Sequence, residues 1–418
     1  RRGRPARGVD MLVTKISVVA ALGALAAFTS PSEAFTAPSC VGFGRSVAAQ
    51  SAVGRIPKLG LSHATKAPLA AAPRAQKSGV TGCSMAGYNI DLTGKVAFVA
   101  GVADASGYGW AIAKQLANAG CTIIVGTWPP VMTLFERGLK KGFGEDGMLD
   151  NGEQMKIEKI YPLDAMFSTP DEVDEATKSN KRYAGLEGYD IKSCAEKVKA
   201  DYGKVDFLIH SLANGPEVTK PLLETSRNGY LAASSASAYS MISMLQHFGP
   251  LMPEGGSAIS LTYIASERVV PGYGGGMSSA KAQLESDTKV LSWEAGRMYG
   301  IRVNTISAGP LASRAAVAIK KGGAGERNYI DYCIDYNIAN TPLPKPLYAD
   351  DVGKTALALC SDLTTAVTGT CQYVDNGMHA MGLTVDSGSF KEYIDKQGGV
   401  PWDGWKPDVG AKRLAGKE

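Results

Sequence analysis

Short apolar runs that end near glycine, separated by stretches of helical spacing, constrain this chain more than any other feature. KVAFVAG (95–101) is the first such run, and WAIAKQLANAG (110–120) follows it with one apolar helical face and a glycine stop. CTIIVGTW (121–128) repeats the strand pattern, and MKIEKIYPLDA (155–165) ends in a third strand. KSCAEKVKADYG (192–203) reads as a helix, KVDFLIHS (204–211) as a fourth strand, and Asn228 to His247 as one long helical stretch. SAISLTY (257–263), the helix AKAQLESDTKVLSWEAGRMYG (280–300), the strand IRVNTISAG (301–309), the helix ADDVGKTALALCSD (349–362) and the strand GTCQYVDNG (369–377) complete the series. Strands without polar alternation are covered on both faces, which makes them parallel. The expectation is an α/β fold: one doubly wound parallel sheet of about seven strands, with helices on both faces and right-handed crossovers.

The pattern starts only near residue 95, and what precedes it has a different chemistry. Residues 1–90 hold 11 Lys/Arg against 2 Asp/Glu, whereas the remainder holds 33 against 38. The net charge of +4 therefore comes from the leader, and the mildly acidic body argues against nucleic acid as a partner. From Met11 a lysine, an apolar run from about Val18 to Phe28 and Ser32-Glu33-Ala34 make a signal peptide too short to span a bilayer. Residues 1–10 read as upstream sequence, and 35–85 as a transit peptide: basic, free of acidic residues and rich in Ser, Ala, Gly and Pro. The catalytic domain is then 86–418, with no membrane segment in the mature form. Its five cysteines, an odd number without CxxC spacing, argue against a disulfide framework and against a metal site. Cys121 and Cys360 fall in apolar segments and read as buried thiols. Two segments exceed a minimal sheet: 138–190, and 310–346, which leaves the end of the sixth strand and is the natural lid.

AGVADASGYGW (100–110) joins the first strand to the first helix. Gly101, Gly107 and Gly109 let the backbone approach a pyrophosphate, and the helix N-terminus favours its negative charge. A glycine motif in this strand-loop-helix setting points to a dinucleotide in a Rossmann-like crevice. The second strand ends GTWPP, without the basic residue that a 2′-phosphate would require, which favours NADH/NAD+. Trp128 is placed to stack against the adenine or to pack in the loop.

PGYGGGMSSAK (271–281) carries the second piece of chemistry. Glycines 274–276 resist helix, so Tyr273 belongs to a loop and Lys281 to the first turns of the helix beginning near Met277. The helix dipole opposes a lysine there, and the hydroxyls of a cofactor ribose would supply a reason for it. A phenol and an ammonium sharing one cofactor can together stabilise an oxygen that gains negative charge.

Across 86–390 the chain resembles the enoyl-acyl carrier protein reductases of type II fatty acid synthesis, a branch of the short-chain dehydrogenases/reductases, in their plant and apicomplexan plastid form. The resemblance rests on GYGWAIAK, VGTWPP, YPLDA, NKRYAG, HSLANGPEV, PLLETSRNGYLAA, SLTYIASERVVPGYGGGMSSAKA, RVNTISAGPLASRAA and YVDNG. Ordinary short-chain dehydrogenases use Tyr-x3-Lys and bacterial reductases of this family Tyr-x6-Lys; Tyr273 and Lys281 give the Tyr-x7-Lys of the plastid form. The glycine loop also departs from the usual pattern, being two residues longer between its first and second glycines.

The resemblance implies NADH-dependent reduction of a trans-2-enoyl chain on acyl carrier protein, with hydride passing to the β-carbon. Tyr273 then stabilises the enolate, Lys281 holds the nicotinamide ribose and Tyr263 is the second tyrosine of the site. It places Gly101, Asp104, Gly107 and Tyr108 along the pyrophosphate, and Trp128, Asp164 and Ala165 around the adenosine. Ser211, Leu212 and Ala213 line the cofactor, and Ala308, Gly309, Pro310 and Leu311 approach the nicotinamide. Asn214, Met277, Ala315, Ala316 and Ile319 join the two tyrosines in the acyl pocket, which also takes the inhibitor triclosan. A homotetramer and, given the two-step leader, an apicoplast address are implied as well. A ketoacyl reductase, or a scaffold that binds NAD without turnover, are the alternative readings.

Overall fold

The computed structural model describes residues 90–319 and 327–382, with positions 384, 392, 395, 396 and 398 beyond them. The signal and transit segments expected at 1–34 and 35–85 lie outside the described residues, as do 86–89 and the 320–326 part of the expected lid.

Seven strands form one sheet: β1 (Val96–Ala100), β2 (Thr122–Thr127), β3 (Lys159–Pro162), β4 (Phe207–His210), β5 (Ser257–Thr262), β6 (Arg302–Ala308) and β7 (Cys371–Val374). Their order is β3-β2-β1-β4-β5-β6-β7, and every pairing is parallel. The helices are α1 (Tyr108–Asn118), α2 (Pro129–Lys140), α3 (Glu175–Ser179), α4 (Ile191–Tyr202), α5 (Arg227–Ser234), α6 (Ser240–Phe248), α7 (Met277–Tyr299), α8 (Arg314–Ile319), α9 (Tyr329–Asn340) and α10 (Ala349–Cys360).

Alternate strand residues separate into two cores. Val96, Phe98 and Ala100 of β1 face α4, α6 and α7, where they meet Val198, Phe248 and Leu284. Ala97 and Val99 face the other layer, where Trp110, Ile112 and Leu116 of α1 lie with Val352, Ala356 and Leu359 of α10. Two covered faces explain why the strands read as unbroken apolar runs. Helices α1 and α10 pack closely because Gly353 has no side chain: a Cβ there would lie 2.6 Å from Ala111 O.

The structure departs from the sequence reading in three places. The helical stretch across 228–247 is two helices joined by a π turn at Ser235–Tyr239. Helix α2 starts at the Pro-Pro pair, in a stretch where the sequence reading names no element; proline fits the first helical turn because its missing N–H would have no partner there. Helices α3 and α9 fall within the segments read as loop, 138–190 and 310–346. Among the described residues no helix is long and apolar enough to cross a membrane. Cys121, Cys194 and Cys360 are buried free thiols, raised above the usual thiol range by burial.

Phe98 is fully buried, with its ring 4.5 Å from Phe248 and 6.3 Å from Tyr161. Phe98→Ala is expected to cost about 3–5 kcal/mol of stability through the cavity it leaves, read as a lower urea midpoint at unchanged slope.

Candidate active site

Strands β1 and β4 are neighbours whose connections leave to opposite faces, α1 to one and α5–α6 to the other, which opens a crevice at their carboxyl ends. Gly101 begins the loop there at φ +97, and a Cβ on it would lie 2.1 Å from Ser211 O. A Cβ on Gly109, within α1, would lie 3.1 Å from Ser211 Oγ, so both glycines serve the close packing of α1 against the end of β4. Gly107 differs: it caps α1 with nothing within 4 Å of its Cβ position. No side chain caps this end of α1 and its first turn carries no acid, which leaves N–H groups and a positive dipole end for an anion. The crevice therefore fits a dinucleotide pyrophosphate.

Tyr108, the first residue of α1, reaches across the crevice and donates to Gly309 O at 2.7 Å. Gly309 itself donates to Val374 O at 2.9 Å, just beyond the buried Ala308 that ends β6, and Pro310 and Leu311 follow half-buried. Leu212 packs beside Gly101, and Ala213 is exposed at the rim.

Asp104 is committed to protein partners. Its Oδ1 accepts from Ser106 N at 2.8 Å and from Ser106 Oγ at 2.5 Å, while Oδ2 pairs with Arg314 Nε at 3.2 Å. Ser106 Oγ in turn accepts from Arg314 N at 3.1 Å. The longer glycine loop thus holds the start of α8, and Arg314 balances a carboxylate that would otherwise repel a phosphate.

At the far end of the crevice Trp128 follows β2, caps α2 and is half exposed. Its Nε1 donates to Asp164 Oδ2 at 3.2 Å and to the Tyr183 hydroxyl at 3.1 Å. Tyr183 also donates to Asp164 Oδ2 at 2.5 Å, and Asp164 Oδ1 accepts from Met166 N at 3.1 Å. Asp164 is thereby occupied in fixing an indole wall, with Ala165 half-buried beside it. Among the described residues no arginine or lysine hydrogen-bonds to this group, which favours an unphosphorylated ribose.

The two tyrosines meet at the end of β5. Tyr263 follows the last strand residue, and its ring stands edge-on to Tyr273 at 5.2 Å and 71°. Burial raises both phenols, Tyr273 to about 12, so each stays protonated at neutral pH. Lys281, in the second turn of α7, is 5% exposed and donates to Leu261 O at 2.8 Å. Burial lowers its ammonium to about 8, a shift that the Glu285 carboxylate partly offsets. One of three donors is used, so two remain for the hydroxyls of a ribose. Behind it His210, the last residue of β4, is fully buried and pushed down to about 3 by burial and by the Lys281 charge. His210 is therefore neutral, with Nε2 2.7 Å from Ser240 Oγ.

The glycine run has a packing reason that the sequence does not display. Gly274 N donates to Val218 O and Gly275 N to Lys220 O, each at 3.0 Å. A Cβ at Gly274 would lie 1.9 Å from Lys220 O, and one at Gly275 2.3 Å from the Glu217 backbone. Gly275 and Gly276 are also left-handed, at φ +61 and +83. From the other side Tyr329 of α9 donates to Pro271 O and covers Gly272. The Tyr273 loop is thus clamped from two directions.

Asn214 and Met277 share one anchor in the π turn. Ser237 Oγ accepts from Asn214 N and donates to Asn214 O, both at 3.0 Å, and lies 3.7 Å from Met277 Sδ. Ala316 is half-buried in α8 and donates through its N–H to Ser313 Oγ at 3.2 Å. Ala315 and Ile319 belong to the same helix, but their side chains lie outside the described residues. Reading the sequence missed Arg314, Tyr183, Ser237 and Tyr329, because each acts through a partner distant in the chain, and Glu217, whose near partners Lys220 and Ser226 form no recognisable motif.

The family profile described as enoyl-(acyl carrier protein) reductase matches residues 187–379. The chloroplastic NADH-dependent enoyl-acyl carrier protein reductase 1 of Oryza sativa subsp. japonica is 61% identical over 302 residues, covering 72% of this chain and 78% of the relative. This chain belongs to the enoyl-acyl carrier protein reductase family. Among solved structures, the Plasmodium berghei reductase with triclosan superposes at a TM-score of 0.65 with 52% identity, covering 69% of this chain and 98% of that one. The Anaplasma phagocytophilum reductase in complex with NAD superposes at 0.56 with 27% identity, covering 71% of this chain and 96% of that one. The single seven-stranded parallel sheet found here is the fold of these reductases. Gly101→Ala, which combines a left-handed φ with a clash on Ser211 O, is expected to lower stability by about 1–3 kcal/mol and to weaken NADH binding. A thermal melt and an NADH fluorescence titration check both effects.

Proposed function

We propose that this chain reduces the trans-2 double bond of an enoyl chain held on acyl carrier protein, the last step of each fatty acid elongation cycle, at a site built on Tyr273, Tyr263 and Lys281. One observation carries the reading: the edge-on Tyr263–Tyr273 pair stands at the end of β5 with the buried Lys281 ammonium behind it. Bound NADH supplies the hydride, which goes to the β-carbon. Tyr273 donates a hydrogen bond to the thioester oxygen as charge develops there, and the enolate is then protonated at the α-carbon. A phenol pushed up to about 12 by burial is suited to this, because it donates without ionising at neutral pH. Lys281 holds the nicotinamide ribose and keeps positive charge near the reacting oxygen. Gly101, Gly107 and Tyr108 cradle the pyrophosphate, Asp104 supporting them through Ser106. Trp128 covers the adenosine, held by Asp164 next to Ala165, and Ser211, Leu212 and Ala213 line the cofactor. Ala308 to Leu311, fixed at Gly309 by Tyr108, approach the nicotinamide.

Asn214, Met277, Ala315, Ala316 and Ile319 complete an acyl pocket that accepts triclosan, the ligand of the Plasmodium berghei relative. Leu231, Tyr239, Val290, Trp293 and Met298 are exposed on α5–α7 and the π turn, which supports self-association into a homotetramer. The chloroplastic relatives support a plastid address, and the signal and transit segments an apicoplast stroma in particular.

The wide Tyr–Lys spacing disfavours a ketoacyl reductase. Oxidation of NADH on a trans-2-enoyl thioester, blocked by triclosan, with none on a 3-ketoacyl thioester, is the expected result; the reverse preference overturns the reading. Tyr273→Phe is expected to lower kcat by on the order of 10²–10⁴-fold with NADH affinity little changed, measured by turnover and fluorescence titration. Lys281 yields a pH prediction. Its folded pKa lies below the ordinary 10.5, so the burden of a buried charge is full below about 8 and is relieved as pH rises from there to 10.5. Lys281→Met should therefore stabilise the cofactor-free enzyme at pH 7 by roughly 1–3 kcal/mol while abolishing turnover, with the stability gain fading toward pH 10.5. Wild-type NADH affinity should fall as pH rises through about 8.

A further inference from the structure

Glu217 lies in the segment that touches the glycine run, and neither the cofactor crevice nor the tyrosine pair explains it. Its side chain is 18% exposed and accepts three hydrogen bonds. Oε2 takes Ser226 N at 2.7 Å; Oε1 takes Ser226 Oγ at 3.1 Å and Lys220 Nζ at 2.7 Å. Ser226 is the N-cap of α5, whose own hydroxyl accepts from Gly229 N at 3.0 Å. A Cβ at Gly229 would meet the Glu217 carboxyl at 2.5 Å, so the first turn of α5 is shaped around this one side chain. The carboxylate thus ties residues 217–220 to the start of a helix. Hydrogen bonds led by Lys220 hold it below the usual carboxylate range, so it is ionised at neutral pH.

The same short segment presents the Val218 and Lys220 carbonyls to Gly274 and Gly275, the two residues after Tyr273. With no side chains on that run, these two hydrogen bonds and the backbone contact are what fix its path on this side. We propose that Glu217 is a positioning residue for Tyr273: its carboxylate fixes the 217–220 backbone, and that backbone fixes the phenol. Glu217 touches neither substrate nor cofactor and acts only through the turn. The proposal rests on the reading of Tyr273 as the group that hydrogen-bonds the thioester oxygen.

The test is a double-mutant cycle in the full chain, using NADH and a trans-2-enoyl thioester. Glu217→Ala should lower kcat on the order of tenfold, because small misplacements of a reacting group are costly, while the NADH dissociation constant stays within about twofold. In a Tyr273→Phe background the same substitution should change the residual kcat by less than about twofold, since no hydroxyl is left to misplace. A merely structural role would give the same fractional loss in both backgrounds, and that result overturns the proposal. Glu217→Gln keeps the volume and one acceptor for Ser226 N, and guards against a folding defect in the alanine variant. It should lose no more than about threefold in kcat, and only where Tyr273 is intact. Near-normal turnover of Tyr273→Phe alone would instead overturn the role given to Tyr273 and this proposal with it, which separates the two failures.

Discussion

Lys281 is 5% exposed, with its ammonium beside the end of β5, 2.8 Å from the Leu261 carbonyl, and the surrounding structure is arranged to tolerate it. A buried charge with one hydrogen bond is unfavourable, and its pKa drops to about 8 for that reason. Each neighbour limits the damage in a different way. His210 is held neutral, and Glu285 lends a partial counter-charge. A fully solvated lysine would be more stable, but its two remaining donors would then be hydrated rather than available to a ribose.

The loop that carries Tyr273 is held largely through its backbone. Gly272, Gly274, Gly275 and Gly276 lie against Tyr329, the 217–220 segment and Tyr230, and at each of these four glycines a Cβ would come within 3.0 Å of a neighbour. The seven residues between Tyr273 and Lys281 therefore do more than lengthen a loop. Gly274 and Gly275 among them let the segment before α5 grip the turn, while Tyr329 of α9 holds Pro271 and Gly272 ahead of the phenol. The first glycine loop shows the same economy: its extra length carries Asp104 and Ser106 to Arg314, which joins the cofactor crevice to the start of α8.

Much of this was legible in the chain. The inner strands β1, β2, β4, β5 and β6 were readable because burial on both faces favours apolar runs, and α1, α4, α7 and α10 because each has one apolar face. The glycine loop, the tyrosines and Lys281 were visible as motifs because their spacing is local. Helix α2 was hidden by the proline pair at its start, and α9 by polar residues scattered around its circumference. The break between α5 and α6 was invisible, since SSASAY is ordinary helix sequence until the Ser237 hydroxyl is drawn to Asn214.

The sequence by itself determined the fold class and singled out the glycine loop, the two tyrosines and Lys281 as candidates, because these depend on periodicity and on spacing between near neighbours. Only the tertiary structure decided what holds them. Asp104 to Arg314, Trp128 to Tyr183, Asn214 to Ser237 and Lys220 to Gly275 each span 23 residues or more, the nearest of these pairs being Asn214 and Ser237. Such pairs leave no periodic trace, since either partner alone is an ordinary polar residue or a glycine, and the sheet must first form to bring them together.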